Sequence, residues 1–183
     1  MTGTKAGIEK FRERLSGIKI IFMDVDGVLT EGSVFFIEDR SPRVWYVRDR
    51  LAIKILGRLG VDVVWISGRG GEDLSDRGRE LGVSRVYTDI EEKHPVMERV
   101  LRESGLSPEE ALYIGDDLID LRCMEAAGFS CAPADAADEV LAAADYVSDY
   151  PGGRGAVRQI IELFLKCSGR WDSIVQSYRT GDS

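Results

Sequence analysis

Short apolar runs alternate with amphipathic stretches along this chain, and glycine marks the joints. Leu59-Gly60-Val61 precedes the apolar run 63–66, Leu81-Gly82-Val83 precedes 85–87, and Ala127-Gly128-Phe129 precedes 130–132. Each joint predicts a helix that ends at a glycine, which takes the left-handed C-terminal conformation at least cost, followed by a short strand. Strands that read as continuous apolar runs and alternate with helices predict a parallel sheet covered on both faces. The expected fold class is α/β, a doubly wound (Rossmann-like) parallel sheet with helices on both faces.

The same pattern places strands over 18–23, 63–66, 86–87, 112–114, 129–131 and 146–147. Helices are expected over 51–59, 72–81, 95–103, 118–126, 138–143 and 156–165, with Ser107-Pro108-Glu109-Glu110 reading as a capped helical start. Between the first strand and the first helix, β-rich segments at 34–37 and 44–47 flank a polar turn at 39–42, which predicts a protruding β-hairpin over about 33–48. The expected organisation is an N-terminal extension (1–17), one domain (18–167) and a C-terminal tail (168–183) that forms a short helix and a frayed end.

Composition narrows the function classes. A chain of 183 residues, 44% hydrophobic and 31% charged, suits one globular domain with a sizeable core. The formal net charge of -8 disfavours nucleic acid and anionic membrane as partners, since both attract basic faces. It leaves an anionic substrate open, because a metal ion reverses the local charge. No apolar run approaches the roughly 20 residues that span a bilayer, and 1–17 lacks the apolar core of a signal peptide. Cys123, Cys131 and Cys167 form no C-x-x-C pair and read as reduced thiols of a cytoplasmic protein, filling core or surface.

Two acidic groups carry the candidate chemistry. Asp24-Val25-Asp26-Gly27-Val28-Leu29-Thr30 follows the first strand, where ligands bind in an open α/β sheet. Residues two apart in an extended segment point to the same side, so Asp24 and Asp26 face one site; an acidic surface turn is the plain alternative. Gly115-Asp116-Asp117-Leu118-Ile119-Asp120 follows another strand and opens a helix. One capping aspartate would explain a helix start, whereas three acids in five residues suit a hard divalent cation. Ser67-Gly68-Arg69 at a third strand end forms a phosphate cradle or an ordinary loop. Lys93, before a helix, reads alone as a solvated lysine, and His94 as exposed or structural.

The order of these motifs resembles the haloacid dehalogenase superfamily over about 18–147. The resemblance implies that Asp24 attacks phosphorus and carries an aspartyl-phosphate, while Asp26 acts as general acid and base. It implies Mg2+ held by Asp24, the Asp26 carbonyl and Asp116, with Asp117 or Asp120 supporting its waters. Ser67, Gly68 and Lys93 would hold the phosphoryl group. The spacings from Asp26 to Ser67 and from Ser67 to Lys93 leave no room for a separate cap domain, so the hairpin or another subunit must close the site.

Val47-Arg48-Asp49 and Gly152-Gly153-Arg154-Gly155-Ala156-Val157-Arg158, with Ala144-Asp145-Tyr146-Val147, extend the likeness to the 3-deoxy-D-manno-octulosonate 8-phosphate phosphatases, over about 19–167. This implies a sugar phosphate substrate, with Arg48, Arg69 and Arg154 as substrate-binding residues. It also implies a homotetramer whose hairpins form a central barrel, with Arg154 reaching a neighbouring site. The family continues Arg-Asp with Gly-x-Gly-Ile; here Arg50 and Ala52 replace the glycines. A nine-carbon ulosonate 9-phosphate, another sugar phosphate, a phosphoprotein or a non-catalytic phosphosugar-binding role are the alternatives.

Overall fold

The structure is a computed structural model and describes residues 5–37 and 41–181. Six strands, β1 (Ile20–Met23), β2 (Asp62–Ile66), β3 (Arg85–Tyr87), β4 (Ala111–Ile114), β5 (Phe129–Ala132) and β6 (Tyr146–Val147), form one sheet in the order β3-β2-β1-β4-β5-β6. Every neighbouring pair is parallel, and β1 lies centrally, with Met23 beside Trp65 and Ile114. Alternate residues of β1 enter different cores: Ile21 and Met23 face one, Ile20 and Phe22 the other. This explains the unbroken apolar reading of the strand, since neither face meets water.

The first core is closed by α1 (Lys5–Ser16), α2 (Val47–Arg58), α3 (Glu72–Leu81) and α7 (Ala156–Cys167), the second by α4 (Lys93–Ser104), α5 (Leu121–Ala126) and α6 (Asp138–Ala143). The tail forms α8 (Trp171–Thr180). All three cysteines are buried. Among the described residues no helix is long and apolar enough to cross a membrane.

Four expectations need correction. Within the N-terminal extension, the described residues from 5 onward join the core: α1 buries Phe11 and Leu15, Phe11 packs edge-on to Phe129 at 5.3 Å, and Arg14 pairs with Asp145. Among the described residues the hairpin is not a ladder of paired strands. Apart from a bridge at Ile37, the described residues of 31–46 have no strand or helix, and the tip at 38–40 lies outside the described residues. Val47 opens α2 instead of ending a strand, so Arg48 and Asp49 are helical. The joint at Gly128 also works differently. Gly60 and Gly82 have positive φ (67° and 76°), as expected of helix ends, but a Cβ at Gly128 would lie 2.1 Å from the Glu109 carbonyl oxygen. Close backbone approach selects glycine there.

Candidate active site

Three strand ends and one helix start meet at the carboxyl edge of the sheet. Asp24 leaves β1 with its amide donating to the Ile114 carbonyl, which fixes it beside β4. The residue is buried, and its carboxylate lies 2.9 Å from Lys93 Nζ. Lys93 is the first residue of α4 and is fully buried, where the sequence suggested a lysine ahead of the helix. Its Nζ also donates to Asp120 Oδ1 at 2.8 Å. Tyr113 on β4 donates to that same oxygen at 2.8 Å, and the amides of Asp116 and Asp117 donate to Asp120 Oδ2. Both Asp120 oxygens are therefore occupied by this chain's own donors.

Asp116 is the opposite case. Its Oδ1 is buried and has no hydrogen-bond partner. Ligand oxygens of Asp24, Asp116 and Asp120 lie within 4.8 Å of one another. Burial first, then repulsion from Asp24 and Asp120, pushes the Asp116 carboxyl up to about 8. Burial and repulsion from Asp120 raise Asp24 to about 6, against the pull of Lys93. Lys93 is raised as well, because Asp120 and Asp24 outweigh its desolvation. Three carboxylates around one ammonium with an orphaned oxygen fit a hard cation that takes oxygen ligands. Asp24 and Asp116 would hold it, while Asp120 anchors Lys93 and the loop.

Gly27 makes this geometry possible. Its φ is +100°, and a Cβ there would stand 1.9 Å from Asp116 Oδ2. Gly152 and Gly153 pack against the same turn. A Cβ on Gly152 would lie 1.7 Å from the Gly27 carbonyl oxygen, and the Gly153 amide donates to the Val28 carbonyl at 3.0 Å. These glycines serve close packing against that turn.

Asp26 has a different environment from Asp24. Arg43 grips both its oxygens, Nε to Oδ1 and Nη2 to Oδ2, each at 2.9 Å. Arg69 adds two contacts at 3.2 Å, and the Thr30 hydroxyl lies 3.2 Å from Oδ1. Burial would raise the Asp26 carboxyl, but Arg43 first and then Arg69 hold it below the usual range. Arg69 Nη1 is buried and unpartnered. Ser67 is buried at the end of β2, where its hydroxyl donates to the Arg69 carbonyl at 2.8 Å and accepts the Arg69 amide. Gly68 continues this turn towards the Ile90 carbonyl.

The remaining candidates lie apart from the carboxylate cluster. Asp117 is exposed, and its side chain caps Leu118 at 2.7 Å. Arg48 and Arg154 line a separate cavity of about 340 Å³ with Tyr46, Tyr150, Arg158 and Lys166. Arg154 is exposed and pairs with Glu31 at 2.7 Å. His94 is half-buried, and its Nδ1 lies 3.6 Å from Glu98 without a hydrogen-bond partner. Sequence reasoning passed over Arg43 and Tyr113. Tyr113 sits at an inward strand position two residues before the acidic loop, a signal that was available; an arginine in a polar turn gives none.

Residues 82–161 match the haloacid dehalogenase-like hydrolase family. The chain is 34% identical over 160 residues to 3-deoxy-D-manno-octulosonate 8-phosphate phosphatase KdsC of Escherichia coli strain K12, covering 87% of this chain and 85% of that one. The crystal structure of the Moraxella catarrhalis 3-deoxy-D-manno-octulosonate 8-phosphate phosphatase, in complex with magnesium ion, phosphate ion and KDO, superposes with a TM-score of 0.90 at 29% identity. That match covers 93% of this chain and 98% of that one. The Yersinia pestis phosphatase gives 0.87 at 34% identity, covering 90% and 89%.

Proposed function

We propose, from the premise that the chain belongs to the haloacid dehalogenase-like hydrolases and to the 3-deoxy-D-manno-octulosonate 8-phosphate phosphatases among them, that it hydrolyses an eight-carbon ulosonate 8-phosphate through an aspartyl-phosphate on Asp24. It is a phosphoric monoester hydrolase with magnesium as its cofactor. The observation that carries the assignment of residues is the buried cluster of Asp24, Lys93 and Asp116, with Asp116 Oδ1 unpartnered.

A carboxylate oxygen of Asp24 attacks phosphorus, and the bond from phosphorus to the sugar oxygen breaks. Asp26 donates a proton to that oxygen as it leaves. Water then attacks phosphorus, Asp26 takes the water's proton, and the phosphorus–Asp24 bond breaks to restore the carboxylate. Bound magnesium supplies positive charge to the phosphoryl oxygens and the nucleophile. Lys93, held by Asp120 on one side and Asp24 on the other, stabilises charge on the transferring group. Ser67 and the Gly68 turn cradle its remaining oxygens.

Asp26 must be protonated for the first step, yet two guanidiniums hold it ionised. Arg69 resolves this tension. It is partly exposed and has a free donor, so a substrate anion draws it away. One positive neighbour then leaves Asp26 while negative charge arrives, and both changes raise its affinity for a proton.

The eight-carbon assignment is supported by the fate of the two departures. Arg50 pairs with Glu80 of α3, and Ala52 is buried in the core. Neither residue needs to disturb the carboxylate cluster. A phosphate-release screen over sugar phosphates with magnesium tests the reading. The eight-carbon ulosonate 8-phosphate should rank above simple hexose phosphates. A nine-carbon 9-phosphate or an unrelated phosphate ranking well above it would replace this substrate, and no turnover of any phosphate would leave a phosphosugar-binding role.

Assembly belongs to the same proposal. The arm over 34–37 exposes Val34, Phe35, Phe36 and Ile37, and Val44 and Val47 are exposed beyond it. Large apolar side chains exposed together along one segment mark an interaction surface. Packing four arms into a barrel would cover it, pair segments that form no ladder among the described residues, and bring a neighbour's Arg154 towards the sugar.

A further inference from the structure

Arg43 is the most deeply committed arginine near the site, with its side chain 2% exposed. It reaches Asp26 through Nε and Nη2 at 2.9 Å and Asp73 through Nη1 at 3.0 Å. Nη2 also donates to the carbonyls of Arg69 and Gly70, at 3.3 and 3.2 Å. The room for this comes from Gly71, where a Cβ would stand 2.8 Å from Arg43 Nη1. Two residues on, Trp45 stacks on Trp65 of β2 with ring centroids 5.5 Å apart. The segment between the arm and α2 is thus tied at two points, one to the catalytic turn and one to the sheet.

A buried arginine is costly to desolvate unless its donors are satisfied, and here the fork is matched to one carboxylate. Arg69 also touches Asp26, but it is partly exposed and keeps a free donor, so it can leave. Arg43 cannot leave without stranding a charge. We infer that Arg43 is a positioning residue for the phosphatase reaction: its fork fixes the direction of the Asp26 carboxyl and ties that direction to the β2–α3 loop and the root of the arm. The inference rests on Asp26 being the general acid. It assigns Arg43 no contact with substrate.

A misdirected acid has a specific kinetic signature. A leaving group that departs readily as an anion, such as p-nitrophenolate, needs little proton donation, whereas an alkoxide needs it fully. kcat/KM reports only steps up to the first irreversible one, so the ratio of kcat/KM for an alkyl phosphate to that for p-nitrophenyl phosphate isolates the acid. It also cancels the folded fraction of a preparation, because both substrates see the same enzyme. General acid catalysis is worth about 10²–10⁴-fold. Arg43→Met, which keeps length and loses the fork, should lower the ratio by about 10²-fold. Arg43→Lys, with a charge but no fork, should fall between it and the unmodified protein.

The experiment measures both substrates with magnesium on the full chain and on Arg43→Met, Arg43→Lys and Asp26→Asn. A lowered ratio in Asp26→Asn and in Arg43→Met, with Arg43→Lys between, is the expected result. A lowered ratio in Asp26→Asn with equal losses on both substrates in Arg43→Met overturns the inference and makes Arg43 a purely structural tie. An unchanged ratio in Asp26→Asn overturns the premise, because Asp26 would then not be the acid. If Arg43→Met does not fold, Arg43→Lys alone decides: an unchanged ratio there is the overturning outcome.

Discussion

Asp24 and Asp26 stand two residues apart and differ in their neighbours. Asp24 faces one ammonium and two carboxylates in a buried cluster; Asp26 lies under two guanidiniums. The first setting suits a nucleophile beside a cation, the second a carboxyl whose direction is fixed. Asp24→Asn keeps shape and removes the nucleophile, so phosphate release should fall below a few per cent while the chain stays folded. Retained turnover in a contamination-free preparation would reject covalent catalysis at Asp24. Asp116 and Asp120 should separate by assay. Asp116→Asn removes charge from an oxygen without a partner, so it should raise the magnesium needed for half-activity at least tenfold while leaving the metal-free fold intact. Asp120→Asn turns an amide NH₂ towards donors, at Asp116 and Asp117 or at Lys93 and Tyr113. It should destabilise the fold by about 1–3 kcal/mol in a denaturant titration. Asp24, Asp26, Ser67, Lys93 and the acidic loop were legible because each follows a strand or opens a helix, and chain order plus fold class places such ends together. Arg43 was not legible, because its burial is decided by a turn 17 residues earlier and a loop 30 residues later, neither of which marks the arginine itself.

Among elements, α3 coincides with its sequence reading at Glu72–Leu81, and all six strands fall where apolar runs predict them. Those runs need both faces covered, a requirement a single chain can meet. The arm fails for the converse reason. Its β-rich composition is real, but a two-stranded ribbon is marginal alone, and the described residues show no ladder. The paired state would need other copies. Replacing Phe35 and Phe36 by serine should therefore shift sedimentation from an assembly towards a single chain, Phe36 being 82% exposed here. An unmodified chain that sediments as a monomer would remove the basis for the barrel. The turn after β1 makes a stricter demand. Gly27→Ala meets both a positive φ and the Asp116 carboxylate, so it should cost at least about 10²-fold in activity and raise the magnesium requirement together with that loss. An alanine variant with full activity and unchanged magnesium dependence would show that Asp116 is not held where the cofactor sits.

For the molecule as a whole, the site stores repulsion that the cofactor relieves, and pH should reveal it. Without metal, the folded carboxyls of Asp24 and Asp116 lie at about 6 and about 8, against 3.8 for an ordinary aspartate. Both therefore bind protons more tightly in the folded chain than in the unfolded one, so protonation favours the fold. That stabilisation is complete below the unfolded value and is lost as pH rises through about 6 and then about 8. Depressed groups such as Asp26 and Asp145 act in the other direction, but only near and below the unfolded value, where they take up protons. Between about pH 5.5 and 8.5 the raised pair should dominate, and the metal-free thermal midpoint should fall as pH rises. Magnesium binds the ionised form and should cancel the fall. At a hundredfold excess over its dissociation constant it adds about 2.7 kcal/mol, equivalent to about 5–10 °C for a chain of this length. The gap between loaded and metal-free midpoints should therefore be small at the acid end and widen towards pH 8.5. Thermal denaturation in chelator and in magnesium, stepped across this range, measures that gap directly. A gap independent of pH would mean that the Asp24 and Asp116 carboxyls are already ionised in the metal-free fold, and that the cation binds without displacing protons from them.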